Sequence, residues 1–250
     1  MPVKNGLFIK LRMIVTMLWV MILMPALTAV TIILTLLSFG KLRNFLVTWI
    51  GYILGRSSLA VAGVRVKICY HDKKPTGPAI FLINHSSTLD ILVVLSIFLP
   101  RVRYIAKREI QYNPFFLLLV KFLGQIMINR KDSRSTLEQL QNAYTHIREN
   151  RLSMMFAPEG TRSKTGEIGP FKSGAFHTAI ELGYPIVPVY FEGAYKLCPG
   201  NALVTLPGTV TVHFHPPIDT SGWDKKNIRQ HREKVRNMYL KWKSEEQASV

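Results

Sequence analysis

The chain sets an imidazole five residues before a carboxylate, in Asn84-His85-Ser86-Ser87-Thr88-Leu89-Asp90, directly after the apolar run Ala79-Ile80-Phe81-Leu82-Ile83. Along an uninterrupted helix that spacing would turn the two side chains well apart. A His–Asp contact therefore requires His85 in a loop at the end of a strand and Asp90 on the first turns of the next helix, with Ser86, Ser87 or Thr88 available as its cap. A carboxylate on one ring nitrogen fixes the tautomer and leaves the other nitrogen able to take a proton from a substrate hydroxyl. A satisfied loop histidine beside a capping aspartate is the other use of the same spacing.

A second cluster, Ala157-Pro158-Glu159-Gly160-Thr161-Arg162-Ser163, follows the run Leu152–Phe156. Proline ends the strand, Gly160 lets backbone approach a ligand, and Thr161, Arg162 and Ser163 offer donors at a turn. Arg162 can hold a phosphate through two parallel hydrogen bonds, and Glu159 can accept from a polyol hydroxyl or orient the arginine. Cys198 lies in Leu197-Cys198-Pro199-Gly200 with no adjacent base and makes a poor nucleophile. His213 and His215 alternate on a strand, but no third zinc ligand of suitable spacing accompanies them. No metal and no cofactor are expected.

These groups must be positioned by an α/β domain. From about Gly63, Val64, Val66 and Ile68 alternate with Arg65, Lys67 and Cys69 as in a half-buried strand, and apolar runs recur at Ala79–Ile83, Val102–Ala106, Leu152–Ala157, Ile186–Phe191 and Val210–His215. Helical stretches at Leu89–Phe98, Ser135–Glu149 and Ser173–Leu182 alternate with them, the second opened by the capping-box pattern Ser135-Thr136-Leu137-Glu138. The pattern predicts a mixed, mostly parallel sheet covered by helices on both faces, with the site at strand ends. The tail from Asp224 predicts a basic amphipathic helix on the surface, suited to anionic headgroups.

The sequence has 250 residues, 32 Lys and Arg against 15 Asp and Glu, and a formal charge of +17. Such a chain is drawn to polyanions. No charged residue occurs from Met13 to Gly40, a stretch long enough to cross the ~30 Å apolar core of a bilayer. Basic residues on both sides, Lys4, Lys10 and Arg12 before and Lys41, Arg43 and Arg56 after, leave the positive-inside rule without a direction. A second apolar patch, Phe45–Leu54, follows a short link, and Pro25 offers a kink in the first. Residues 1–56 therefore read as a membrane-anchoring helical hairpin in one leaflet, both ends cytoplasmic, in preference to a single span. Residues 57–250 read as the α/β domain. Nucleic acid would account for the charge but not for the anchor or the His–Asp pair. Cys69 and Cys198 read as free thiols of a reducing compartment.

Four ordered blocks carry a family resemblance: Asn84-His85 through Asp90; Gly124-Gln125-Ile126-Met127-Ile128-Asn129-Arg130; Pro158–Ser163 followed by Phe171-Lys172-Ser173-Gly174-Ala175; and Ile186-Val187-Pro188-Val189. In these the chain resembles the glycerolipid acyltransferase superfamily, and most closely its bacterial 1-acyl-sn-glycerol-3-phosphate acyltransferases. Two positions depart from the family pattern, Asn129 for an aspartate and Ala157 for a phenylalanine. The resemblance implies the glycerol-3-phosphate acyltransferase-like fold. It implies acyl transfer from acyl-CoA or acyl carrier protein to lysophosphatidic acid, giving phosphatidic acid in phospholipid biosynthesis at the inner membrane, with the site facing the cytoplasm. His85 would be the base and Asp90 its partner, with Lys107, Arg130, Glu159, Gly160, Thr161 and Arg162 around the acceptor, and Phe115–Val120 with Phe122 and Leu123 as an acyl groove. Glycerol 3-phosphate, a lysophospholipid or a lyso-aminolipid are the alternative acceptors, and a membrane protein that only holds anionic lipid is the non-enzymatic alternative.

Overall fold

The strand Ile80–Ile83 (β2) is buried at all four residues, as a central strand covered on both faces must be. In this computed structural model, which describes residues 6–99, 101–107, 126–128, 133–200, 202 and 204–248, β2 lies at the middle of a seven-stranded sheet. The other strands are β1 (Val64–Tyr70), β3 (Val102–Lys107), β4 (Ile126–Ile128), β5 (Ser153–Phe156), β6 (Ile186–Glu192) and β7 (Gly208–Phe214). Their spatial order is β1-β7-β6-β2-β5-β3-β4. Every neighbouring pair is parallel except β6 and β7, so the sheet is mixed and mostly parallel, as the alternation of apolar runs and helical stretches predicts.

The period-two alternation of β2 divides the interior into two cores. Phe81 and Ile83 pack with Met155, Val187, Val189 and Val212 on one face, against Val93 and Val94 of helix α3 (Asp90–Ser96). Ile80 and Leu82 pack on the other with Met154 and Ile186, against three helices: α4 (Ser133–Glu149), α5 (Gly174–Leu182) and α7 (Ile228–Ala248). A short helix α6 (Ala194–Leu197) follows β6.

Two expectations need correction. The helix expected to open at the Ser135 capping box begins at Ser133, so that pattern lies inside its first turn. The C-terminal helix is not merely a surface feature. Tyr239 is fully buried; its hydroxyl donates to the Leu82 carbonyl at 2.8 Å and accepts from the Val189 N–H at 3.2 Å, tying α7 to β2 and β6. Of the basic residues on α7, Lys243 is buried against Glu246 at 3.2 Å, and Arg236 donates to the carbonyls of Gly169 and Ile168 at 2.8 and 3.1 Å. The alternating basic pattern hid these inward contacts because long side chains bury their stems while their heads still look polar in sequence.

Ahead of the sheet, α1 (Gly6–Leu37) and α2 (Arg43–Val61) are joined by the turn 38–42, and the Trp19 indole N–H donates to the Ser57 hydroxyl at 3.1 Å. The 32 residues of α1 form one helix, long and apolar enough to cross a membrane, with Phe8, Ile22, Ile33 and Leu36 among its exposed side chains. The boundary expected at residue 56 falls inside α2, which runs on to Val61 and buries Ser58 and Leu59. A single arginine, Arg56, interrupts the apolar sequence without ending the helix.

Helices α2 and α3 are in close approach at Gly55. A Cβ there would come within 2.7 Å of the Leu92 carbonyl oxygen and the Ser96 nitrogen, both of them backbone atoms that cannot step aside. Gly55→Ala should therefore push α2 away from the helix that carries Asp90, at a cost of about 1–3 kcal/mol. Thermal unfolding in detergent should show Tm lowered by roughly 2–4 °C for each kcal/mol lost; an unchanged Tm would mean that the two helices are not in register here.

Candidate active site

Where β2 ends, Asn84 acts as a side-chain extension of the sheet. Its amide accepts from the Phe191 N–H at 2.7 Å and donates to the Phe191 carbonyl at 3.1 Å, fastening the end of β2 to β6. The next residue, His85, leaves the sheet, and the chain then curls around the carboxylate of Asp90, which is 1% exposed. One oxygen, Oδ2, accepts three hydrogen bonds: from His85 Nδ1 at 2.7 Å, from the Ser86 N–H at 2.9 Å and from the Ser87 N–H at 3.0 Å. Oδ1 is buried with no hydrogen-bond partner among the described residues. Asp90 is the first residue of α3, and the Ser87 hydroxyl accepts the Leu89 N–H at 3.1 Å just before it.

An ionised carboxylate only accepts, so the proton of a neutral His85 ring sits on Nδ1 and the lone pair on Nε2. The His85 side chain is 23% exposed, and its Nε2 makes no hydrogen bond among the described residues. That is the geometry of a proton acceptor awaiting a hydroxyl.

The turn after β5 lies against this loop because β5 is the parallel neighbour of β2. Glu159 does not reach Arg162. Its Oε1 accepts the His85 backbone N–H at 2.9 Å and its Oε2 accepts the Gly169 N–H at 3.0 Å. Burial pushes the Glu159 carboxyl up from its ordinary range, and those two backbone donors oppose the rise. The Ser163 N–H returns a hydrogen bond to the His85 carbonyl at 2.8 Å, so the peptide units on both sides of His85 are held by this turn. Gly160 adopts φ +73°, left-handed backbone that a side chain would strain. Arg162 is anchored by one nitrogen: Nη1 donates to the Thr88 hydroxyl at 2.8 Å and to the Gly200 carbonyl at 3.1 Å. Thr161 and Arg162 are exposed, on the rim of the site.

The structure thus joins His85, Asp90, Glu159, Gly160, Thr161 and Arg162 in one loop cluster. The backbone of Lys107 ends β3, and its side chain lies outside the described residues, as do Arg130 and the segment Phe115–Leu123. Neither Asn84 as a latch, nor Thr88 as the anchor of Arg162, nor Arg12 as a cavity residue is foreseeable from local spacing. Arg12 lines a cavity of about 260 Å³ together with Thr16, Thr88, Leu89, Leu92 and Cys198. Its Nη1 is buried without a hydrogen-bond partner among the described residues. A second cavity of about 430 Å³ is lined by apolar side chains of α1, α2, α3 and β3, including Val20, Leu27, Leu54, Leu95 and Val102. Cys198 is buried and donates through Sγ to the Ala202 carbonyl at 3.2 Å, while its own carbonyl accepts the Ser87 hydroxyl at 2.7 Å, so it supports the loop.

A half-buried histidine held on a buried aspartate at the end of a parallel strand is an arrangement suited to proton transfer. The family profile described as Acyltransferase matches residues 65–192, which run from β1 through β6 and contain the whole cluster. The chain belongs to the acyltransferase family and is an O-acyltransferase. It is 32% identical over 185 residues to the 1-acyl-sn-glycerol-3-phosphate acyltransferase of Escherichia coli, a match covering 72% of this chain and 73% of that protein. It is 30% identical over 190 residues to the protein of the same name from Cocos nucifera, covering 76% of this chain and 61% of that longer relative. Its fold is that of the Thermotoga maritima 1-acyl-sn-glycerophosphate (LPA) acyltransferase, with a TM-score of 0.74 at 21% identity over 94% of this chain and 98% of that one.

Asp90→Asn removes the charge that fixes the ring and balances an imidazolium. Turnover should fall by roughly 10²–10⁴-fold, with circular dichroism unchanged. A rate within a fewfold of the parent would separate the aspartate from the chemistry.

Proposed function

We propose that the protein transfers the acyl group of an acyl thioester, carried by CoA or acyl carrier protein, to the sn-2 hydroxyl of 1-acyl-sn-glycerol 3-phosphate, forming phosphatidic acid for phospholipid biosynthesis. The observation that carries this reading is the His85–Asp90 pair, a half-buried ring whose Nε2 makes no hydrogen bond among the described residues; the two cavities lined by Leu92 of α3 and by α1 are apolar enough for acyl chains. The names of the relatives supply the acceptor.

The bond broken sets the chemistry. A thioester carries a good leaving group, so an activated hydroxyl needs no covalent enzyme intermediate. His85 Nε2 takes the hydroxyl proton as the oxygen attacks the thioester carbon. The buried Asp90 carboxylate stabilises the resulting imidazolium, and collapse of the tetrahedral intermediate expels the thiolate, which recovers the proton from Nε2. Base assistance of this kind contributes about 10²–10⁴-fold, and holding the reactants in place contributes the larger share. Glu159 and the Ser163 N–H serve that placement by fixing the His85 backbone.

The acceptor phosphate is assigned to the rim. Among the described residues Arg162 donates only through Nη1, which leaves its other guanidinium N–H groups for a phosphate in two-pronged geometry. Gly160 and Thr161 form the turn that presents it, and Arg12, Lys107 and Arg130 are the further cations of this reading. Glu159, expected to contact the acceptor, acts instead on the backbone of His85. Helices α1 and α2 form the anchor, with the exposed apolar surface of α1 in the membrane and the catalytic domain beginning at β1. A hairpin in one leaflet of the inner membrane, with the active site on the cytoplasmic side, keeps His85 on the side where acyl thioesters are made and lets the acceptor slide in from the bilayer.

The test is full-length protein in detergent, given one labelled acyl thioester and a choice of lysophosphatidate, glycerol 3-phosphate, a lysophospholipid or a lyso-aminolipid. Lysophosphatidate should be acylated with the highest kcat/KM; preference for another acceptor would overturn the substrate assignment while leaving the family intact. His85→Ala should lower turnover by about 10²–10⁴-fold in a folded protein. Arg162→Lys should raise KM for lysophosphatidate and leave KM for the thioester unchanged, because a point charge cannot make the two-pronged contact. An equal loss with a phosphate-free monoacylglycerol would move Arg162 out of the headgroup site.

A further inference from the structure

His213 and His215 lack a third metal ligand in their own segment, but the fold supplies one from the far side of the sequence. Strands β1 and β7 are parallel neighbours at the sheet edge, with Cys69 directly opposite His213. Alternation then puts Cys69, His71, His213 and His215 on the same face, the one that α7 covers. The metal-binding atoms of Cys69, His71 and His213 all lie within 4.8 Å of one another, and His71 Nε2 stands 3.0 Å from His213 Nδ1. Two imidazole nitrogens on a tetrahedral zinc ion sit roughly 3.3 Å apart, given Zn–N bonds of about 2.0–2.1 Å. The pair is almost at that separation already.

The surroundings are built as those of a metal site are. His213 Nε2 lies 2.9 Å from Glu192 Oε2, and a carboxylate there holds the proton on Nε2 and turns the Nδ1 lone pair towards His71 and Cys69. The His71 ring is stacked on His215 at 4.5 Å and 2°, and His215 is stacked on Trp242 at 3.5 Å and 6°, so His71 is held in line although it is exposed. A cavity of about 230 Å³ bounded by His71, Glu192, His213, His215 and Trp242 gives an ion a path in.

We infer that Cys69, His71 and His213 form a site for a thiophilic divalent transition ion of the zinc class, with Glu192 orienting His213 and a water completing the tetrahedron. One thiolate with two imidazoles suits zinc and disfavours magnesium or calcium, which take oxygen ligands. Binding is a proton exchange as well as a coordination. The Cys69 thiol gives its proton to solvent, and the proton that His71 now donates to His213 moves from Nε2 to Nδ1, which frees the Nε2 lone pair for the metal. His213 keeps its proton on Nε2, donated to Glu192. The bound ion would clasp β1 to β7 at the sheet edge, independently of the acyl-transfer chemistry.

Full-length protein in detergent, stripped with EDTA and freed of the chelator, is titrated with Co²⁺ alone as an optical probe. One equivalent per chain should produce the d–d bands of a tetrahedral site together with a thiolate-to-cobalt charge-transfer band, and Zn²⁺ should bleach both. Cys69→Ser should lose the charge-transfer band and Cys198→Ser should keep it. His71→Ala and His213→Ala should weaken binding ~tenfold or more, and Glu192→Gln roughly 10–100-fold. Zn²⁺ should raise the Tm of the parent protein and not that of Cys69→Ser, with circular dichroism confirming that each variant is folded. The absence of a charge-transfer band at stoichiometric Co²⁺, or its survival in Cys69→Ser, would overturn the site.

Discussion

The Asp90 carboxylate is the constraint around which the active end of this protein is organised. A charge at 1% exposure is tolerated only where donors meet it, and here three donors converge on one of its oxygens while the other has none among the described residues. Two of those donors are backbone N–H groups, so the loop must take one path for the charge to be buried at all. The third is the imidazole of His85, the base of the proposed reaction. The electrostatic requirement of a buried anion and the mechanistic requirement of a fixed tautomer are met by the same hydrogen bond. An imidazolium beside this carboxylate is better matched to it than a neutral ring, so in the proposed reaction the arrangement favours the charge distribution of the transition state over that of the resting site.

Sheet topology explains why residues far apart in sequence meet around that anion. β2 and β5 are parallel neighbours, so the loops after their C-terminal ends emerge side by side, bringing the turn of Glu159 and Arg162 to His85. β6 borders β2 on its other side, and Asn84 locks onto it. The chain beyond α6 then crosses back over the loop, where Cys198 and Gly200 receive the hydroxyl of Ser87 and the guanidinium of Arg162. From the opposite face, α7 reaches the same turn through Arg236 and Gly169, the residue whose N–H supports Glu159. The loop that carries His85 is therefore over-determined, which is what the proposed role of a base that must meet a hydroxyl at hydrogen-bond distance requires.

Much of this was legible in the sequence where a local rule applies. Strand alternation located β1, and apolar runs located β2, β3, β5, β6 and β7, because the period of two is imposed by backbone geometry. The His85–Asp90 spacing admitted a contact only with a loop before a helix, and the structure has that arrangement. Strand β4 is only three residues long, Ile126–Ile128, too short for its alternation to stand out from the apolar residues before it. In sequence Glu159 reads as a ligand-facing acid because carboxylates favour water; its partners are backbone N–H groups from 74 and 10 residues away, which no spacing reveals. Cys69, His71 and His213 escaped for the same reason, since the β1–β7 pairing joins segments that no loop connects directly.

The central claim is that His85 and Asp90 work as one proton-transfer unit. A double-mutant cycle tests it most directly: kcat/KM for acyl transfer is measured for the parent, His85→Ala, Asp90→Asn and the double variant under one set of conditions. If the carboxylate acts only through the imidazole, the aspartate has nothing to orient once His85 is gone, and the double variant should be no slower than His85→Ala alone. Losses that multiply, with the double variant slower than either single one by the product of their effects, would show two independent contributions and contradict the account.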